Sequence, residues 1–225
     1  MTSLRPDERP VALVRTYDRA ERASDALVHA AGLVLALAAV PVLITLAAVW
    51  RTDAAGIVGV SVYGGTLIAM LSASLAYNHV PAGRWTGILR RIDLAAIYGK
   101  IAGTVTPFVL LSGVGTSFLI GIWVAAAGAS ASAFLGGRRS GPISVGIALA
   151  MGWAVLLAGG DVVATTSAPV FVLMVAGGLL YSLGTPFLLW ERLRFHNAIW
   201  HGFVVVASAV FFVAVTWHLV ATSFA

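Results

Sequence analysis

Polar side chains that could bind a metal ion or move a proton recur in four strongly hydrophobic segments: the first, second, third and last of the chain. Asp25 and His29 are four residues apart, as are Asn197 and His201, so each pair shares one face of a helix. Ionisable groups are costly inside a membrane and usually mark a functional site. We therefore predict a polar cavity between these four segments. Its expected members are Asp25, His29, Ser74, Asn78, Asp93, Lys100, Asn197 and His201.

Each candidate also has a structural interpretation. The outermost histidines and acids are expected to lie among lipid headgroups: Asp25, His79, His196 and, at the opposite end of the last segment, His218. His29 and His201 lie about a turn deeper, where an interhelical hydrogen bond and a functional role both stay open. Asp93 could cap its helix, yet a buried acid facing histidines is also the usual partner of a metal-bound water, and we favour that role.

Lys100 is the only lysine of the chain, and it lies inside the third hydrophobic segment, seven residues beyond Asp93. At 1.5 Å per residue it is roughly 10 Å deeper on the same face. Helical side chains tilt toward the N-terminus, so the ammonium could lean back and pair with Asp93. Such a lysine could supply the positive charge that a metal ion would otherwise bring.

The elements that hold these residues follow from composition. The chain has 225 residues, 60% hydrophobic and 10% charged, with mean hydropathy +0.95 and no cysteine. Too few polar side chains remain to cover a soluble globule, and thiolate metal sites are excluded. We predict an all-α bundle of seven transmembrane helices, one domain over residues 25–225. The expected spans are 25–49, 54–77, 92–112, 116–135, 142–158, 168–190 and 197–221.

A polar tail over residues 1–24 precedes the first span, and we expect it to end in a short interfacial helix around Tyr17 to Ser24. Of the fourteen Lys and Arg residues, only Arg51 and Lys100 fall elsewhere than on the side of this tail. Cytoplasmic loops are enriched in these residues, which predicts a cytoplasmic N-terminus and an outside C-terminus. Because the arginines serve as topology signals, the basic charge does not indicate nucleic-acid binding.

Four segments resemble the hemolysin III family, within the superfamily of progestin and adipoQ receptors. They are Glu21–His29 (ERASDALVH), Ser74–Pro81 (SLAYNHVP), Arg91–Phe108 (RIDLAAIYGKIAGTVTPF) and Trp190–Phe203 (WERLRFHNAIWHGF). The superfamily is similar to alkaline ceramidases, which implies zinc-dependent hydrolysis of lipid amides. Matched by position, the resemblance implies zinc ligands at 78, 197 and 201, with Ser74 and Asp93 as catalytic candidates beside the bound water.

The implied ligand set is incomplete, because two of its three positions hold Asn78 and Asn197 and only His201 is an imidazole. Asparagine is a poor zinc ligand. His79 and His196 each lie one residue nearer the cytoplasm and could replace the amides. A one-residue shift turns a side chain by about 100°, so both would need local unwinding. Loss of the metal is the favoured interpretation, and zinc stays open as a cofactor.

Three functions follow from this sequence. The first is a bacterial inner-membrane protein that binds a membrane lipid in a cytoplasm-facing polar cavity with a degenerate metal site. The alternative is a zinc-dependent, ceramidase-like lipid amide hydrolase. A further alternative is the cytolytic or pore-forming activity that the family name suggests, although the fourth and fifth spans carry no charged lining for a pore.

Overall fold

The computed structural model describes residues 17–51, 53–135 and 141–224, so most of the predicted tail lies outside the described residues. The chain is all-helical across these ranges, as predicted. The helices are α1 (Arg19–Trp50), α2 (Ala54–His79), α3 (Thr86–Ser112), α4 (Thr116–Leu135), α5 (Gly141–Ala158), α6 (Gly160–Ala164), α7 (Ala168–Leu189) and α8 (His196–Ser223).

Six of these helices are long and apolar enough to cross a membrane: α1, α2, α3, α4, α7 and α8. The remaining predicted span corresponds to α5, which is apolar over Pro142–Ala158 but shorter. Pro41, Pro107 and Pro186 lie inside α1, α3 and α7, as their positions in the predicted spans require. The chain is therefore a multi-pass membrane protein.

The first helix starts earlier than the predicted span. Asp18 caps it, because Asp18 Oδ1 accepts from the Glu21 backbone N–H at 2.8 Å and Glu21 Oε2 accepts from the Asp18 backbone N–H at 3.0 Å. This reciprocal pair satisfies two N–H groups that a helix start leaves open. The helix then continues unbroken from Arg19 to Trp50. The short helix predicted around Tyr17 to Ser24 is present from Arg19, but it continues into the first span without a break and forms the first turns of α1.

α3 lies at the centre of the bundle, packed against α2, α4, α5 and α8, while α1 packs against α2 and α8. Gly103 lets α2 and α3 approach closely, because a methyl group there would collide with the Thr66 side chain. The α1–α8 contact sets the first helix beside the last.

Candidate functional site

An aspartate of α1 lies at the centre of a buried polar cluster formed by α1, α2 and α8. His201 Nδ1–H donates to Asp25 Oδ1 at 2.6 Å, and His79 Nε2 is 3.0 Å from Asp25 Oδ2. Ser74 and His29 complete this group. We name these five residues the Asp25 cluster: Asp25, His29, Ser74, His79 and His201. The structure thus joins five of the predicted residues, from three helices, at one point.

The hydrogen-bond partners fix which ring nitrogens carry protons. His29 Nδ1 is 2.9 Å from the Asp25 backbone carbonyl oxygen, and because a carbonyl only accepts, Nδ1 is the donor. His29 Nε2 then has a free lone pair in the neutral ring, 3.2 Å from Ser74 Oγ. His201 Nε2 is 3.4 Å from the same hydroxyl oxygen, and the two rings are 4.0 Å apart between centroids. Two imidazole nitrogens therefore converge on one hydroxyl group.

The start of α1 covers the start of α8. Arg194 donates to Asp18 Oδ2 at 3.1 Å, the Phe195 backbone N–H donates to Glu21 Oε1 at 3.2 Å, and the Tyr17 hydroxyl is 3.0 Å from His196 Nε2. The Glu21 backbone N–H, and next to it Arg194, hold the pKa of Asp18 below its usual range. These contacts close off the cluster from the side of the chain's N-terminus.

The expectation that Asp25 and His196 lie among headgroups is therefore wrong. Asp25 is 4% exposed and His196 2%, because the contacts between the start of α1 and the start of α8 lie outside them. His79 is partly exposed, with 21% of its side chain accessible. His196 stays outside the Asp25 cluster, since its Nδ1 donates to the Phe187 carbonyl at 3.1 Å. Of the two histidines considered as replacement ligands, only His79 belongs to the Asp25 cluster.

The amides at the implied zinc positions bind each other instead. Asn197 Nδ2 donates to Asn78 Oδ1 at 3.0 Å, and Asn78 Nδ2 donates to the Ser74 backbone carbonyl at 2.9 Å. The two amide side chains are thus held by a chain of hydrogen bonds, and asparagine is a poor zinc ligand. The set of Asn78, Asn197 and His201 does not fit the zinc ion that the resemblance implies.

A cavity of about 510 Å³ lies beside the Asp25 cluster. Five helices line it: α2, α3, α5, α7 and α8. Ser74 and His201 belong to both the cluster and the lining, whereas no α1 residue lines the cavity. The prediction that the first, second, third and last spans form its walls is thus only partly met: α5 and α7 replace α1. Asn78, Asp93, Lys100 and Asn197 line the cavity, but Asp25 and His29 lie behind it.

Two charged residues of α3 face the cavity separately. Asp93 Oδ1 is inaccessible and has no hydrogen-bond partner among the described residues. Lys100 Nζ donates to the Tyr181 hydroxyl at 2.6 Å, and that hydroxyl is 2.8 Å from Ser208 Oγ. The expected Asp93–Lys100 pair is not formed, because the ammonium turns toward α7 and α8.

Sequence reasoning missed Tyr181 and Ser208. The available signal was weak: a hydroxyl-bearing side chain in the middle of each of two apolar segments. Sequence reasoning also misplaced His218, which was expected at the membrane interface but is only 1% exposed. Its ring centroid lies 5.2 Å from that of Phe108. In both cases a polar group is buried by a neighbour from a distant part of the chain.

Comparison with known proteins places this architecture in a family. A family model described as "Haemolysin-III related" matches residues 20–212. The chain is 34% identical to "Hemolysin-3 homolog" of Bacillus subtilis (strain 168) over 207 residues, which cover 91% of this chain and 97% of the relative. It is 32% identical to "Hemolysin-3" of Bacillus cereus over 206 residues, which cover 90% of this chain and 94% of that relative. The chain therefore belongs to the haemolysin III family.

Proposed function

We propose that this protein is an inner-membrane protein with seven spans that binds one membrane lipid in the cavity between α2, α3, α5, α7 and α8. The observation that carries the proposal is the division of the cavity lining. Apolar side chains of α5 and α7, such as Ala148, Leu156 and Met174, line one part, and polar side chains, from Asp93 and Asn197 to Lys100 and Tyr181, line the other. A lipid is divided in the same way, into an apolar acyl chain and a polar headgroup.

The cavity reaches the outer surface of the bundle between α5 and α7. Three of its lining residues are exposed there: Pro142, Gly152 and Leu189. In a bilayer that surface faces acyl chains, so a lipid can enter sideways without crossing water. An opening toward acyl chains favours a lipid as the occupant.

The polar end indicates what kind of headgroup fits. Asp93 Oδ1 can only accept when it is ionised, and it has no partner among the described residues. A buried acceptor without a partner costs about 1–3 kcal/mol, which a ligand donor would recover. We therefore infer a headgroup that carries an O–H or N–H donor, such as a hydroxyl or amide group.

The membrane orientation supports a cytoplasmic position for this end. Counting α5 as the seventh span gives a helix of about 26 Å over Pro142–Ala158 at 1.5 Å per residue, close to the hydrocarbon thickness of about 30 Å. The arginine distribution supports a cytoplasmic N-terminus of α1. Asp93 and Asn197 are near the starts of α3 and α8, which begin on the same side.

Mass spectrometry of the intact protein, released from mild detergent, tests this function. We expect about one lipid per chain in the wild type. Ala148→Trp should abolish lipid retention because Ala148 lines the cavity, whereas Ala150→Trp, on the exposed face of α5, should leave it unchanged. A folded wild type without lipid, or equal retention in both variants, would refute lipid binding in this cavity.

Hydrolysis of a lipid amide through the inherited zinc positions has less support. Asn78 and Asn197 occupy those positions and bond to each other. Cytolytic activity enters only through the names of the two Bacillus relatives, and no feature of the cavity favours it.

A further inference from the structure

We propose that His29 and His201, supported by Asp25, form a binding site for a divalent transition-metal ion. This site uses α1 in place of the amide positions of α2 and α8. It differs from the proposed lipid site in Asp25 and His29, which lie behind the cavity lining, whereas His201 lies at the boundary of both. Ligand-type atoms of Asp25, His29 and His201, one from each, all lie within 4.8 Å of one another.

The first argument is a shortage of protons. His29 Nδ1 donates to a backbone carbonyl and His201 Nδ1 donates to Asp25 Oδ1, so in neutral rings both Nε2 atoms are bare acceptors. Both face Ser74 Oγ, at 3.2 Å and 3.4 Å. A hydroxyl group has one hydrogen and can donate to only one of them. One lone pair is left for a cation.

The second argument is charge. Asp25 and Asp93 are two carboxylates within the same region, and no lysine or arginine nitrogen of the described ranges lies within 4.0 Å of either. Lys100, the only lysine of the chain, is bound to Tyr181 instead. The imidazoles around Asp25 supply hydrogen bonds but no charge in these neutral tautomers, whereas a divalent ion supplies two positive charges.

The third argument is the arrangement behind the imidazoles. Metal-binding histidines usually donate their second N–H to a carboxylate or a backbone carbonyl, which fixes the tautomer and the ring orientation. His201 has the carboxylate of Asp25 in that role, and His29 has the Asp25 carbonyl. Asp25 thus orients both rings. Imidazole nitrogens favour zinc, cobalt, nickel or copper over magnesium or calcium.

Metal analysis of the purified protein tests the proposal. The full chain is purified in mild detergent without a histidine tag, incubated with Zn²⁺, freed of excess ion and analysed by plasma mass spectrometry. We expect about one zinc per chain. His29→Gln should remove it, whereas His196→Gln, which changes another buried histidine outside the cluster, and Asn197→Ala, at an inherited position, should retain it. Asp25→Asn should weaken the apparent zinc affinity by about 10–100-fold.

Two results would overturn the proposal. A folded wild type that holds no zinc after this incubation would refute the site. Zinc retained in His29→Gln but lost in Asn197→Ala would assign the metal to the inherited positions. If His29→Gln does not fold, X-ray absorption of the zinc-loaded wild type decides, since the proposed site has two imidazole ligands and the inherited set has one.

Discussion

Lys100 and Tyr181 offer a test in which one partner stabilises the protein and the other does not. The Tyr181 hydroxyl accepts from the Lys100 ammonium at 2.6 Å and bonds Ser208 at 2.8 Å. A hydrogen bond to a charged group contributes about 1.5–3 kcal/mol and a neutral one about 0.5–1.5. Tyr181→Phe removes both bonds and leaves a buried ammonium behind. We expect it to lower the free energy of unfolding by about 2–4 kcal/mol.

Lys100→Met should behave differently. Replacing a buried charge by an apolar residue of similar size is often neutral or stabilising, because the cost of burying the charge disappears. Tyr181 would still bond Ser208. We expect the unfolding free energy of Lys100→Met to stay within about 1 kcal/mol of the wild type, and the double variant to be more stable than Tyr181→Phe alone.

Thermal unfolding in detergent, followed by tryptophan fluorescence, measures these differences. For a chain of this size, 1 kcal/mol corresponds to roughly 2–4 °C in Tm. The Tm of Tyr181→Phe should therefore be lower than that of the wild type by roughly 4–16 °C, and the Tm of Lys100→Met should change little. If Lys100→Met is as destabilised as Tyr181→Phe, and the double variant is worse than either, the ammonium is a stabilising element and the reasoning fails.

Two further predictions concern helix packing and pH. Gly103→Ala should destabilise the protein by about 1–3 kcal/mol, because its methyl group collides with Thr66. Gly99→Ala, which meets open space on the same helix, should raise the free energy of unfolding by up to about 1 kcal/mol. Equal Tm values for the two variants would contradict this prediction. The pKa of Asp18 is lowered mainly by the Glu21 N–H, so the cap stabilises the folded state above pH 3.8 and loses this effect as the pH falls through the lower folded pKa. Protection of residues 19–22 from hydrogen exchange, corrected for intrinsic rates, should then drop in acid, and the same drop in Asp18→Asn would refute the assignment.

The helices were predictable because the length of each apolar run in the sequence indicates the length of the helix. All-α architecture, the multi-pass topology and the prolines inside α1, α3 and α7 follow from local composition. The Asp18–Glu21 cap at the start of α1 was not predicted, because the pair lies within a charged segment that has no apolar pattern of its own. α6 was also not predicted, because its five residues have no periodic pattern.

The sequence predicted most of the residues that the structure brings together in the site, but it did not predict how they are arranged. Depth along each helix brought His29 and His201 into one layer, about a turn inside the membrane surface, and left Asp25 nearer the headgroups. It did not show that Asp25 would be buried, because the residues that cover it belong to the start of α8. The direction of Lys100 also depended on a distant neighbour, Tyr181, which the sequence of α3 does not reveal.

The contact between Asp25 and His201 has a consequence for synthesis. The two residues are 176 positions apart, on the first and the last helix, so translation delivers the carboxylate long before its imidazole partner. During that interval α1 carries an acid into the membrane without its main hydrogen-bond donor. A chain truncated before α8 would keep this acid without that donor, and ionisable groups without partners are costly inside a membrane. The pair thus distinguishes a completed chain from an unfinished one.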